Sequence, residues 1–365
     1  MNPHHPAWAP PHCPNPNCKY HNTLQRQWRF KRLGFYTRRC APHRIQRYLC
    51  LDCRVSFSRQ TFDTTYWLKR PEILPNLFMK TVGAMANRQI ARDLQAAPAT
   101  IDNQLARLGR HCLLFHAQRL AAAPLAGDLV IDGFESFEFS QYHPFHHHLA
   151  VEADTSFVRY FTDSELRRKG RMTEYQKSRR RQLESRLGTP EPGNVRRDVQ
   201  EMLEVALRDS TVATVRSDDH RTYPYAMREV PCCIDHMITS AKRRRTARNP
   251  LFEANLLDLL VRHSQAGHRR ETISWPKRRQ GSAERLAILV VWRNYIKRRR
   301  EKGPPDTPAM LKGIEAEPLS AKGVLAERLF RSRIDLPPRW GKYYDRTVVT
   351  REFRVNRRHK LKRAR

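Results

Sequence analysis

Three acidic residues stand where a chain can bring carboxylates together. Gly127-Asp128-Leu129-Val130-Ile131-Asp132-Gly133 is a short apolar run closed by an acid and a glycine. It predicts a buried strand that delivers Asp132 at its carboxyl end. Thr211-Val212-Ala213-Thr214-Val215-Arg216-Ser217-Asp218 repeats the device with β-branched residues, and Phe252-Glu253-Ala254-Asn255-Leu256-Leu257 places an acid at the head of a helix-competent run. Two strand ends and one helix can converge on a pair of divalent cations. Hard cations such as Mg²⁺ or Mn²⁺ take oxygen ligands and keep several waters, so few carboxylates suffice. Two such ions about 4 Å apart clamp the attacking and leaving oxygens of a phosphoryl transfer.

A second set of residues has the spacing of a soft-metal site. Cys13-Pro14-Asn15-Pro16-Asn17-Cys18 and Cys50-Leu51-Asp52-Cys53 are separated by 31 residues. Each pair can form a tight turn that offers two thiolates, and together Cys13, Cys18, Cys50 and Cys53 predict a tetrahedral structural Zn²⁺ site. The expected unit is a zinc ribbon over residues 1–62, with strands at Arg47-Tyr48-Leu49 and Val55-Ser56-Phe57, too small to fold without its metal. Cys40, His12, His21 and His43 are alternative ligands, read here as ordinary surface residues. Five of the eight cysteines precede residue 54, a distribution that speaks for a reduced compartment and a metal rather than for a disulfide framework.

The charge balance names a partner class. Against 36 Asp and Glu the chain carries 69 Lys and Arg, a formal net charge of +33. Such a field attracts polyanions, and counterion release drives basic proteins onto phosphate backbones. Double-stranded DNA is the expected partner, with a cytoplasmic, nucleoid-associated location. The longest apolar run, Ala287 to Trp292, is too short to cross a bilayer, and no basic helix has a broad apolar face, so no membrane partner is expected.

The remaining elements position these groups. Residues 76–122 read as a helix-turn-helix. Ile90, Ala91 and Leu94 end one helix, Ala97-Pro98-Ala99-Thr100 breaks it with Thr100 as N-cap, and Ile101, Leu105 and Leu108 begin the next. The second helix would offer Asp102, Asn103, Gln104 and Arg107 to a major groove. Residues 127–300 are expected to form an α/β unit. After the strand to Asp132 come a hairpin turning at Asp154-Thr155-Ser156 and a charged helical insertion over 163–209, broken at 188–193. Asn194 is the expected N-cap of its second helix, with Val195, Val199, Met202 and Ala206 on the sheet-facing side. His143, His146, His147 and His148 tempt a metal reading, but consecutive strand residues point to opposite faces. Lys242, Arg243, Arg244, Arg245 and Arg248 precede Glu253 and suit phosphate contact. Residues 301–365 read as a linker and a basic tail, disordered or draped on DNA from Gly341 onward.

In this order the chain resembles a ribonuclease-H-like mixed sheet with flanking helices. With its N-terminal modules it resembles the bacterial insertion-sequence DDE transposases that carry a zinc ribbon. The resemblance rests on Arg47-Tyr48-Leu49-Cys50-Leu51-Asp52-Cys53 with Phe57, on Ser217-Asp218-Asp219-His220-Arg221-Thr222-Tyr223, where an acid is followed by a tyrosine, and on Asn249 to Leu257 with Ser274 and Arg293-Asn294 beyond it. It covers roughly residues 13 to 300. It implies that Asp132, Asp218 and Glu253 bind two Mg²⁺ ions and activate water and then a DNA 3′-hydroxyl for strand cleavage and transfer, in a homodimer or higher oligomer on DNA. Asp219 rivals Asp218, and Glu284 and Asp258 rival Glu253. A non-catalytic zinc-ribbon and helix-turn-helix DNA-binding regulator, an inactive transposase remnant and a structure-specific nuclease are the alternative readings.

Overall fold

The computed structural model describes residues 8–22, 28–353 and 355–357. Near the N-terminus, strands β1 (Phe30–Thr37), β2 (Arg44–Cys50) and β3 (Ser56–Ser58) form an antiparallel sheet in that order. Tyr48 and Phe57 are cross-strand partners, and their rings stack at 5.6 Å. With Trp28 and the cysteines they make a small core of their own.

Helices α1 (Leu74–Val82), α2 (Asn87–Asp93) and α3 (Pro98–Leu120) follow. The second helix starts at Pro98 with Ala97 as its cap, not at Thr100, because proline has no N–H to leave unpaired in the first turn. Ile101, Leu105 and Leu108 are buried as their spacing predicts. Most of α3 is buried, however, and the helix runs through the molecule rather than along its surface. Its Gly109 lies so close to α8 (Arg279–Val291) that a β-carbon there would stand 2.7 Å from Glu284 Cβ.

The central sheet contains β4 (Leu129–Phe137), β5 (Pro144–Glu152), β6 (Val158–Glu165), β7 (Val212–Ser217) and β8 (Cys233–Ile238), in the order β6-β5-β4-β7-β8. The first three strands pair antiparallel, and β7 and β8 join parallel to β4. Between β6 and β7 lie the exposed α4 (Glu174–Leu187) and α5 (Asn194–Ala206). Val199, Met202 and Ala206 of α5 are buried as expected. Its cap is Gly193, at φ 73°, rather than Asn194, since glycine adopts a left-handed conformation without a β-carbon clash. After β7 come α6 (Tyr223–Met227) and, past β8, α7 (Phe252–Ser264), which lies on β4.

The C-terminal segment differs from the expected loose tail. Helices α9 (Pro308–Leu311), α10 (Ala321–Val324) and α11 (Pro338–Asp345) pack on the central unit. Trp340 and Tyr343 are fully buried, and the Trp340 indole donates to the Phe161 carbonyl at 3.1 Å. Arg339 pairs with Asp163 and Asp198, Arg346 with Glu284 and Arg351 with Glu165. While residues 358–365 of the expected tail lie outside the described residues, Arg339, Arg346 and Arg351 are therefore counter-ions to acids of the sheet and its helices. The few apolar residues among them supply the anchoring.

Candidate functional site

The four cysteine sulfurs lie within 4.8 Å of one another. Two edges are given by Cys13 to Cys53 at 3.6 Å and Cys18 to Cys50 at 3.9 Å. Sulfurs bonded at about 2.3 Å to a tetrahedral ion stand about 3.8 Å apart, so the cluster can hold a metal ion such as zinc. The first pair sits on a turn closed by Cys18 N–H to the Asn15 carbonyl, the second on one closed by Arg54 N–H to the Cys50 carbonyl. Burial raises the Cys50 thiol, but N–H groups of Cys53, Trp28 and Asp52 outweigh it and bring its pKa down to about 7. Burial pushes Cys18 up to about 11. A metal is needed to hold all four as thiolates. His12 and His21, expected at the surface, are buried in this unit. Both face the Cys13 carbonyl, and His21 also meets Ser332 Oγ at 2.8 Å, which ties the cysteine unit to the C-terminal segment.

Three of the acids interact through their charges at the central sheet. Asp132 leaves β4 on the face covered by α7. Val130, two residues earlier on that face, packs with Ala254 of α7 and with Leu251 just before it. Two residues farther along β4, Phe134 lies 5.7 Å below the guanidinium of Arg262. Helix and strand therefore advance together, 254 beside 130 and 262 beside 134. Asp258, midway on α7, falls beside Asp132, because four helical residues rise about 6 Å and two strand residues about 6.7 Å. Asp218 arrives from the end of β7, its carboxylate accepting the His220 N–H at 3.1 Å.

The electrostatics agree with this placement. Asp132 is raised to about 6, first by burial, then by the charges of Asp218 and Asp258, against the Gly133 N–H and Arg245, which lower it. Tyr223 is buried, and burial together with the charges of Asp132 and Asp218 holds its phenol well above the ordinary range. Asp219 is exposed and Asp218 half-buried. Glu253 takes a different position. It is buried toward the β5–β6 turn, paired with Arg299 at 3.4 Å, and Arg299 in turn donates to Ser156. Glu284 is buried against α3, bonded to Gln280 at 3.0 Å and to Arg346 at 3.1 Å. Of the acids weighed from sequence, Asp218 and Asp258 are those whose charges act on Asp132, and Asp258 is also paired with Arg262 at 3.1 Å.

Other named residues divide. Lys242, Arg243, Arg244, Arg245 and Arg248 are all exposed, on a loop pinned by Asn249 to the Arg244 carbonyl. On α3, Asn103 is exposed and accepts from Arg357 at 2.9 Å. Gln104 is buried and donates to the Arg70 carbonyl at 3.0 Å, while Arg107 is half-buried and turned into a cleft. Gln104 is thus not presented to a groove. The packing of α3 against the molecule claims that side of the helix. His146 and His148 share one face of β5, with their Nδ1 atoms 3.0 Å apart, and His147 meets Ser282 at 2.8 Å on the other. Burial lowers His146 to about 3 and His147 to about 4, so they serve as neutral hydrogen-bonding groups.

Among the described residues the cysteines form the only group of three or more metal-binding side chains within 4.8 Å of one another. No protein-family model matches the chain, and a search of curated proteins returns no match.

Proposed function

We propose that the protein is a metal-dependent DNA transposase of the DDE type, with Asp132, Asp218 and Asp258 as its carboxylates. The observation that carries this reading is the position of Asp132, buried under α7 and raised first by that burial and then by the charges of Asp218 and Asp258 from two other elements. Like charges acting on one another are stabilised by a bound cation, and carboxylate oxygens suit Mg²⁺ or Mn²⁺. Such ions, when bound, polarise the scissile phosphate and lower the pKa of attacking water. The chain's own part is to hold the three carboxylates in register and to bring Arg245 toward them from an exposed loop. The strand order, antiparallel for β6-β5-β4 and parallel for β4-β7-β8, supports the ribonuclease-H-like reading. The charge of +33 supports a DNA substrate. Zn²⁺ in the cysteine cluster and an oligomer on DNA complete the proposal.

The test separates the two candidate acids on α7. Asp132→Asn, Asp218→Asn, Asp258→Asn and Glu253→Gln are compared for Mg²⁺-dependent strand cleavage at matched DNA occupancy. The three aspartate variants are expected to lose cleavage by at least a hundredfold. Glu253→Gln is expected to keep it while losing stability, because it strands Arg299. Loss in Glu253→Gln with normal cleavage by Asp258→Asn restores Glu253 as third ligand. DNA binding with normal cleavage by all four variants leaves the DNA-binding regulator as the reading.

A further inference from the structure

A cluster of guanidinium groups lies where three parts of the chain meet. Arg107 and Arg110 come from α3, Arg328 from the C-terminal segment, and Thr64 from the stretch that follows β3. With His111 and Tyr344 they line one cleft. Arg328 is fixed there by donation to the Thr61 carbonyl at 2.7 Å and by the Tyr66 ring, 4.6 Å away. Arg110 lies over the ring of Tyr344.

Arg107 is the exception. It makes no hydrogen bond or ion pair with any described residue, although it is half-buried. Burial and the neighbouring charges of Arg328 and Arg110 lower its pKa to about 9. Tyr344 and Asp63 oppose this only through space, and the Asp63 carboxylate is already engaged by the Thr65 N–H at 2.7 Å. A cation removed from water without a counter-charge is unfavourable, and the neighbouring charges of Arg110 and Arg328 make it more so for Arg107. His111 cannot help, since burial lowers it to about 4 and its Nε2 is bonded to the Val324 carbonyl.

We propose that this cleft is a binding site for a phosphate-class oxyanion, gripped by Arg107 between Arg110 and Arg328. The planar fork of a guanidinium matches the geometry of two phosphate oxygens. A phosphate group near neutral pH carries close to two negative charges, more than a carboxylate offers to three arginines. The anion would also tie α3 to the segments on either side of it. The inference does not depend on the carboxylate site, whose residues lie on other elements. The phosphate can be a backbone phosphate of DNA or that of a small molecule.

The test uses the full zinc-loaded chain and inorganic phosphate or pyrophosphate as probes, in chloride buffers of matched ionic strength. Wild type is expected to show a saturable rise of several degrees in its unfolding midpoint, as ligand linkage requires. Arg107→Gln should lose that rise and should be at least as stable as wild type in chloride. Arg107→Lys, which keeps the charge and loses the fork, should weaken phosphate about tenfold. The absence of a saturable rise in wild type, or an equal rise in Arg107→Gln and Arg107→Lys, overturns the site. Once the rise is seen, a short DNA duplex that abolishes it assigns the site to a DNA phosphate, and a duplex that leaves it intact assigns it to a free phosphate compound. Strand cleavage is not read, so this result stands apart from the enzymatic one.

Discussion

Cys13, Cys18, Cys50 and Cys53 lie within 4.8 Å of one another, whereas Asp132, Asp218 and Asp258 act on each other through their charges without closing to that distance. The difference follows from what holds each group. Cysteine pairs sit on their own backbone turns, so ligand spacing is local, and a thiol can stay protonated until a metal arrives. The carboxylates come from two strands and a helix, so their spacing depends on the sheet register and on how α7 lies on β4. The charges of Asp218 and Asp258 also act against that of Asp132. One group is held at metal-ligand spacing by local turns, and the other is spaced by tertiary packing.

Removing a ligand from the cysteine cluster should have the largest effect. Cys50→Ser is expected to lose about one bound zinc per chain and to unfold the unit around residues 13–62, since structural zinc supplies on the order of 10 kcal/mol to such small units. The damage should spread to residues 328–334, because His21 and Ser332 are bonded and His12 and Phe330 are in edge contact. Metal analysis and limited proteolysis read both effects. Full zinc content in Cys50→Ser would end the assignment. Proteolysis confined to the cysteine unit would show that the C-terminal segment does not lean on it.

At the carboxylates the effect is smaller and its sign is set by pH. Asp132 has a folded pKa near 6, above its unfolded value of about 3.9. The folded state therefore binds more protons between those values, and stability falls as pH rises through that window. The contribution is on the order of 3 kcal/mol, present below about pH 4 and gone above about pH 6. Asp132→Asn should remove it. The stability difference between variant and wild type, measured without divalent ions, should grow in favour of the variant as pH rises from 4 to 7. Mg²⁺ should reverse it by stabilising wild type alone. A pH-independent difference would mean that Asp132 sits in open solvent, away from the other acids.

How much of this was legible follows from the same contrast. The cysteine cluster was readable because its spacing is local, and the strands carrying Asp132 and leading to Asp218 were readable because β-branched runs have few other fates, although β4 continues to Phe137 and holds Asp132 within the strand rather than at its carboxyl end. The surroundings of the acids on α7 were not. Glu253 and Asp258 share a helix, and only its alignment on β4 decides that 258 faces Asp132 while 253 turns to Arg299. One signal was present. Ala254, Leu257, Asp258 and Val261 fall on one side of the helix, and three of them are apolar. The C-terminal segment was misread because a dense run of arginines looks the same whether it faces water or acids such as Asp163, Asp198 and Glu165.

Neighbouring residues on α3 should give the smallest effect and the finest version of the comparison between local pattern and packed position. By sequence Asn103 and Gln104 are equivalent polar residues of a reading helix. In the fold Asn103 is exposed, while Gln104 is buried and holds the Arg70 carbonyl. Gln104→Ala removes a buried hydrogen bond and leaves that carbonyl without its donor, which should cost about 1 kcal/mol of stability. It should leave sequence preference among DNA duplexes unchanged. Asn103→Ala should cost within about 0.5 kcal/mol, as exposed substitutions do. It should change affinity for one sequence relative to another, through a lost base contact of about 1–3 kcal/mol. Thermal unfolding and competition between duplexes at fixed salt measure the two quantities separately. Equal loss of preference in both variants would require Gln104 to leave its pocket, and α3 to pack otherwise than against residue 70.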